Sequence, residues 1–162
     1  MNIAIVGATG NVGRKLLDVL DKKNFQITEL FLVASPKSAG KKIKFKNEEL
    51  IVEDLNNFDF SKVKLAFFAA GSAIAEKWAP IAAEKTIVID NSKFFRKDPQ
   101  IPLVVPEVNS KDLNQVKNKN IIANANCSVI PMVVALKPLH DLYSIKRIIA
   151  STYQSVSGAG KA

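Results

Sequence analysis

MNIAIVGATGNVG (Met1–Gly13), continuing into RKLLDVL (Arg14–Leu20), decides the fold. Ile3 to Val6 is an unbroken apolar run that reads as a buried strand. Glycines at 7, 10 and 13 read as a loop, and the apolar spacing from Val12 to Leu20 predicts a helix. A strand that passes through a glycine loop into a helix opens a βαβ unit. Gly7 permits the tight turn, Gly10 lets the backbone approach a pyrophosphate, and Gly13 lets the helix pack close to the sheet. The free N–H groups and positive dipole end at the helix start then hold the anion. The spacing is G-x-x-G-x-x-G, a variant of the G-x-G-x-x-G dinucleotide fingerprint. A plain glycine-rich turn is the alternative, but strand, loop and helix all stand in register.

The alternation continues outward from this unit. Leu30 to Ala34, Leu65 to Ala69 and Thr86 to Ile89 read as strands, and Ala73 to Ala83 as a helix. A second set follows, with a strand at Ile121 to Asn124, a helix from Ser128 to about Lys137 and a strand at Ile145 to Gln154. The runs are continuously apolar, as parallel strands covered on both faces require. Ile43 to Glu53 reads as a polar hairpin or a pair of short strands at an edge. Asp98 to Pro106, with three prolines, reads as a long surface connection. The fold class is therefore α/β, with a Rossmann-like doubly wound, mostly parallel sheet. After the last strand, SVSGAGKA (Ser155–Ala162) stops where the alternation would next call for a helix. We expect a chain that is the front part of something longer.

The composition of the 162 residues, 48% hydrophobic and 23% charged, suffices for a sizeable core and excludes a disordered or collagen-like segment. No apolar run crosses a bilayer, since Val129 to Leu139 is broken by Pro131, Lys137 and Pro138. The N-terminus lacks the basic stretch and cleavage site of a secretory signal. Cys127 is the only cysteine, so no internal disulfide forms and a reducing cytoplasm is expected. The net charge of +8 raises the question of nucleic acid. Its lysines are scattered and no nucleic-acid motif accompanies them, so a positive field that favours phosphorylated small molecules is the better reading.

Binding of the ribose 2′-hydroxyl of NAD would call for an Asp or Glu at the end of the second strand. That strand ends Val33, Ala34, Ser35, Pro36, Lys37, Ser38. Hydroxyls and a cation suit a 2′-phosphate, which favours NADP. Ordinary solvated turn residues are the alternative for Lys37 and Ser38.

Asn124, Ala125, Asn126, Cys127 and Ser128 close a strand and open a helix, which puts Cys127 in the first helical turn. There the dipole and free N–H groups favour a thiolate and can hold an oxyanion formed next to it. A buried structural cysteine is the alternative, against which the flanking asparagines and serine argue. His140, the only histidine, lies thirteen residues on and beyond Pro138. It is too far to serve as the base of a Cys-His pair and reads as a surface or capping residue, so if Cys127 is a nucleophile its base must lie outside these 162 residues.

GATGNVG (7–13), ASPKSAG (34–40), FAAGS (68–72), DNSKFFR (90–96), VVPEVN (104–109), NANCS (124–128) and YQSVSGAG (153–160), in that order, resemble the aspartate-semialdehyde dehydrogenase family. The segment around Cys127 differs from the Gly-Cys-Tyr-Pro type expected of N-acetyl-γ-glutamyl-phosphate reductases. The resemblance implies reduction of L-aspartyl 4-phosphate to L-aspartate 4-semialdehyde with NADPH, a step toward lysine, methionine and threonine. It further implies that Cys127 is the acyl-thioester nucleophile. Arg96 would bind the phosphate, and Gln154 and Asn126 would contact the substrate. Gly7, Thr9, Gly10, Asn11, Val12 and Gly13 would hold the pyrophosphate, and Lys37 with Ser38 the 2′-phosphate. Gly71, Ser157 and Gly158 would also border the cofactor. No metal is implied. Lys37 stands where Arg is expected, and Ala125 and Pro131 also depart from the usual pattern. The resemblance implies an NADP-binding domain at residues 1–126 and, from 127, the truncated start of a catalytic and dimerisation domain. The family's histidine acid/base and its carboxylate-binding arginine would lie in the missing part. The chain alone is then expected to bind cofactor without turnover, and the full-length protein to be a homodimer or homotetramer. A nucleotide-binding module with no chemistry of its own is the competing function.

Overall fold

The computed structural model describes residues 1–23, 25–153 and 155. Its centre is β1 (Ile3–Val6), which lies parallel to β2 (Leu30–Ala34) on one side and to β5 (Leu65–Phe68) on the other. β6 (Ile87–Asp90), β8 (Ile121–Asn124) and β7 (Leu103–Val104) extend the sheet past β5. On the other flank, β4 (Glu48–Asp54) pairs parallel to β2 and carries β3 (Lys42–Phe45) as the antiparallel edge. The eight strands run in the order β3-β4-β2-β1-β5-β6-β8-β7. The chain winds outward in both directions from the β1/β5 crevice, so the Rossmann-like, mostly parallel sheet expected from the alternation is what forms.

All four residues of β1 are inaccessible, because successive side chains feed two cores. Ile5 meets Leu17 and Leu20 of helix α1 (Asn11–Lys22), together with Leu32, Ile43 and Val52. Ala4 and Val6 face the opposite layer, where Ala75, Ala79 and Ala82 of helix α2 (Ser72–Ala83) lie flat against the sheet. Phe58, Phe60 and Phe68 fill that layer in edge and stacked contacts, with ring centroids 5.1 and 6.0 Å apart. Each such ring removed from water contributes about 2–3 kcal/mol. Short 3₁₀ turns connect β4 to β5, closed by Asp54 and Asp59, whose carboxylates accept N–H bonds from Asn56 and Ser61.

The strand pair expected within 43–53 forms as the antiparallel β3 and β4 on one flank of the sheet, with β3 as its edge. Three other expectations are corrected. The stretch 98–106 is not a loose connection. Ile101, Pro102, Val104 and Val105 are buried and β7 forms there, with Ala123 N–H donating to the Pro102 carbonyl. Prolines are tolerated on an edge strand because its outer N–H groups need no partner. Helix α4 (Val129–Tyr143) continues through Pro138 rather than ending near Lys137. Within 145–153 of the strand expected at Ile145 to Gln154, no regular structure forms, and Ile149 is 88% exposed. A strand needs a neighbouring ladder, and no strand among the described residues runs beside this segment. Between β7 and β8 lie a single helical turn, α3 (Pro106–Asn109), and a 3₁₀ stretch. No helix among the described residues is long and apolar enough to cross a membrane.

Candidate functional site

Because β1, β2, β5, β6 and β8 are parallel, the loops that follow them all emerge at one edge of the sheet. That edge holds Gly7 to Gly13, Ser35 to Ser38, Gly71, Asn91 to Arg96 and Asn126 with Cys127. From β2 to β8 is four strand spacings, about 19 Å, and the β1/β5 crevice lies between them at the switch in winding direction, where α/β sheets take their ligands.

The glycine loop is packed against backbone from two sides. A Cβ on Gly7, whose φ is +89°, would stand 2.7 Å from the Ala69 carbonyl carbon after β5. One on Gly13 would stand 2.3 Å from the Gly7 oxygen. Gly13 therefore serves contact between the helix and its own loop, which holds the first turn of α1 down on the strand end. Gly10 is the N-cap of α1, with no side-chain cap and no acidic residue in the first turn. The N–H groups of Asn11, Val12 and Gly13 belong to that first turn, which has no intrahelical acceptor for them. Thr9 is half-buried, and its carbonyl accepts the Arg14 Nε–H bond at 3.3 Å. Gly71 likewise caps α2 without a side-chain bond. A closely packed glycine cradle with an uncapped, uncharged helix start fits a pyrophosphate.

Ser35 to Ser38 form a 3₁₀ turn beside this loop, with Lys37 exposed and Ser38 half-buried. Strand pairing adds a residue that linear reading missed, since Asp54 of β4 lies directly across from Ala34. Its Oδ1 accepts both the N–H and the side-chain amide of Asn56, so one of its two oxygens closes its own turn.

On the β6/β8 side, Arg96 stands on the 3₁₀ turn Phe94–Lys97 and reaches back to the strand ends. Its Nε–H donates to the Asn124 carbonyl at 2.9 Å and its Nη2 to the Asn91 carbonyl at 3.2 Å. The Asn124 side-chain amide donates to Asn91 Oδ1 at 2.5 Å. Below this network lies Asp90, a fully buried carboxylate whose two oxygens accept the N–H and O–H of Ser92 at 3.0 and 2.6 Å. Burial pushes the Asp90 carboxyl above its ordinary value, opposed by the Ser92 bonds and the nearby Arg96 charge. Asn91, Asn124 and Asp90 were not singled out from the sequence. Aspartate two residues before serine, an Asx-turn signature, was the available signal.

Cys127 is exposed and lies in the turn that leads into α4, whose regular helix begins at Val129. Val129 and Ile130 already donate N–H bonds to the Asn126 carbonyl, and Asn126 Oδ1 accepts the Ser128 N–H at 3.0 Å and its O–H at 2.7 Å. Asn126 thus closes the turn that leads into the helix, and Cys127 stands in that turn, just ahead of the regular helix rather than within its first turn as expected, because the Asn126 side chain and carbonyl take up the N–H groups of Ser128, Val129 and Ile130. The thiol lies 3.8 Å from Asn126 Oδ1. His140 is exposed on the last turn of α4, about 20 Å along the helix from Cys127. The structure thus gathers Gly7 to Gly13, Lys37, Ser38, Gly71, Arg96, Asn126 and Cys127 along one edge. Gln154, Ser157 and Gly158 lie outside the described residues. No cluster of three metal-ligating side chains occurs among the described residues.

Comparison with known proteins gives the family of the chain. Residues 2–116 match the family model described as semialdehyde dehydrogenase, NAD binding domain. The chain is 54% identical to aspartate-semialdehyde dehydrogenase 2 of Vibrio cholerae over 99% of its own length and 48% of that protein's. It is 53% identical to aspartate-semialdehyde dehydrogenase of Aquifex aeolicus, over 98% of this chain and 47% of that one. Among solved structures it superposes on aspartate semialdehyde dehydrogenase II of Vibrio cholerae complexed with ASA, with a TM-score of 0.96 and 53% identity. That match covers 99% of this chain and 48% of the other. The Candida albicans enzyme with NADP superposes with a TM-score of 0.72 at 27% identity, over 89% of this chain and 48% of that one. The chain spans about half the length of the curated relatives it matches.

Proposed function

Because the chain belongs to the semialdehyde dehydrogenase family, and aligns over nearly all its length with aspartate-semialdehyde dehydrogenases, we propose that it is the cofactor-binding, nucleophile-bearing part of such an enzyme. The reaction is reduction of L-aspartyl 4-phosphate to L-aspartate 4-semialdehyde, toward lysine, methionine and threonine. One observation carries the reading: an uncapped glycine-loop helix and an exposed cysteine turn open on the same edge of one parallel sheet, with an arginine tethered to the end of the strand that leads to the cysteine.

In this reading the Cys127 thiolate attacks the acyl phosphate carbon, the carbon–sulfur bond forms and phosphate leaves. Arg96 receives that phosphate with the N–H groups not bonded to Asn91 and Asn124, a planar, permanently charged donor well matched to it. Asn126 keeps the thiol at the mouth of the helix by closing the turn. NADPH, when bound, supplies the hydride that releases the thioester as aldehyde. Gly7 to Gly13 would hold its pyrophosphate, Lys37 and Ser38 its 2′-phosphate, and Gly71, Ser157 and Gly158 its remaining contacts. Gln154 would orient the substrate. The exposed Lys37 cation and the Ser38 hydroxyl at the end of β2, with no acidic residue in Ser35 to Ser38, support NADP over NAD.

Residues 1–126 form the cofactor domain in this proposal, and residues from 127 begin a catalytic and dimerisation domain of a cytoplasmic homodimer or homotetramer. A second reading, a nucleotide-binding module without turnover, is favoured for the chain alone by the 20 Å between His140 and the thiol. Phosphate-dependent oxidation of aspartate semialdehyde with NADP tests both. We expect no detectable turnover by the 162 residues. Turnover should follow when they are fused to the remaining half of the Vibrio cholerae relative, and Cys127→Ala should abolish it. An inactive fusion that folds and binds NADP would refute the enzymatic reading.

A further inference from the structure

Four aspartates in this chain close turns in the same way, each accepting the N–H of the residue two positions on: Asp54 from Asn56, Asp59 from Ser61, Asp98 from Gln100 and Asp90 from Ser92. Three of these bonds lie at the surface. Asp90 alone is wholly inaccessible, and burying a carboxylate is costly where an exposed one closes the same turn. What distinguishes Asp90 is what it supports. Its second oxygen accepts the Ser92 O–H, and the Ser92 oxygen accepts the N–H of Phe94, the first residue of the turn that carries Arg96. The adjacent Asn91 is fixed from three directions: its N–H donates to the Phe68 carbonyl, its Oδ1 accepts from Asn124, and its carbonyl accepts from Arg96. The Asp90 charge also lies close enough to Arg96 to be felt as its counter-charge.

We propose that Asp90 is the positioning residue of the anion site: through Ser92 it sets the turn that bears Arg96, and so fixes the guanidinium on the Asn91 and Asn124 carbonyls at the ends of β6 and β8. This inference rests on the reading of Arg96 as the phosphate-binding residue. Removing the link leaves Arg96 present and charged but free to leave the Asn124 and Asn91 carbonyls, so that it must be ordered again for each anion bound.

The test uses the whole 162-residue chain with isotope-labelled arginine. Arg96→Lys identifies the Arg96 Nε–H resonance against those of Arg14 and Arg147. Its exchange with water and its response to inorganic phosphate are then followed in Asp90→Asn and Ser92→Ala, with NADP affinity as the control. We expect exchange at least tenfold faster in both variants, a phosphate Kd raised at least fivefold, and an NADP Kd within twofold of the parent. Ser92→Ala keeps the backbone turn, so it decides the matter if Asp90→Asn does not fold. Unchanged Nε–H exchange in Ser92→Ala would overturn the proposal, as would equal losses of phosphate and NADP binding, which would mark a general loss of structure. If the parent chain binds no phosphate, or Arg96→Lys leaves the Kd unaltered, the phosphate reading of Arg96 fails. The Nε–H exchange still decides the role of Asp90.

Discussion

Helices α1 and α4 each follow a strand of the same sheet, and they are buried to opposite degrees. α1 is polar overall but sets Gly13, Leu17 and Leu20 on one stripe, and all three are buried. α4 is far more apolar, with Val, Ile, Met and Leu around its circumference, yet none of its fifteen residues is buried and Leu142 is 74% exposed. The difference lies in what faces them. α1 meets a sheet face supplied by β1, β2, β3 and β4, whereas the described residues offer α4 no comparable layer. Apolarity along a helix therefore gives its capacity for burial, and the partner layer decides whether that capacity is used.

The largest effect that sharpens this contrast is expected at Gly13. Gly13→Val would drive a Cβ into the Gly7 carbonyl, 2.3 Å away, and should cost about 4 kcal/mol or more, read as loss of the cooperative thermal transition. Next, Leu17→Ala on α1 should cost about 2–5 kcal/mol in denaturant titration, while Leu142→Ala on α4 should stay within about 0.5 kcal/mol. Equal losses at the two positions would break the comparison. Within the cofactor side, Lys37→Glu should weaken NADP binding about tenfold, or about 1.4 kcal/mol, and leave NAD binding nearly unchanged in calorimetry. Loss of both affinities together would show Lys37 to be structural.

The smallest effect concerns pH, and it separates a surface turn from the buried one. The N–H of Gln100, then the hydrogen bond from Lys119, hold the Asp98 carboxyl below its ordinary 3.8. Its contribution is present above pH 3.8 and disappears as pH falls through the lower folded value. Asp90 runs the other way. Burial raises its carboxyl, so its contribution is full below pH 3.8 and is lost as pH rises through the raised folded value. Asp98→Asn should thus destabilise slightly at pH 7 and not at pH 2.5. The stability of Asp90→Asn relative to the parent should improve between pH 3 and pH 7. Denaturant midpoints across that range check both signs.

By itself the sequence determined the local grammar of the protein. A continuous apolar run, three spaced glycines and an amphipathic run follow one another within the first twenty residues, and short-range sterics and solvation suffice to turn them into strand, loop and helix. The same holds for Asn126, Cys127 and Ser128 at a strand-to-helix junction. Tertiary structure decided what depends on long-range pairing. It placed β4 inside the sheet, so that Asp54 lies across from Ala34, and it turned Leu103 and Val104 into an edge strand. It left 145–153 without a ladder although their side chains favour one. It also joined Asp90, Asn91, Arg96 and Asn124 at one point, through bonds such as that from Arg96 to Asn124, twenty-eight residues apart. The physical reason is that a strand's neighbours and a buried carboxylate's partners are set by which distant segments can close on it, and a local pattern contains no term for that closure.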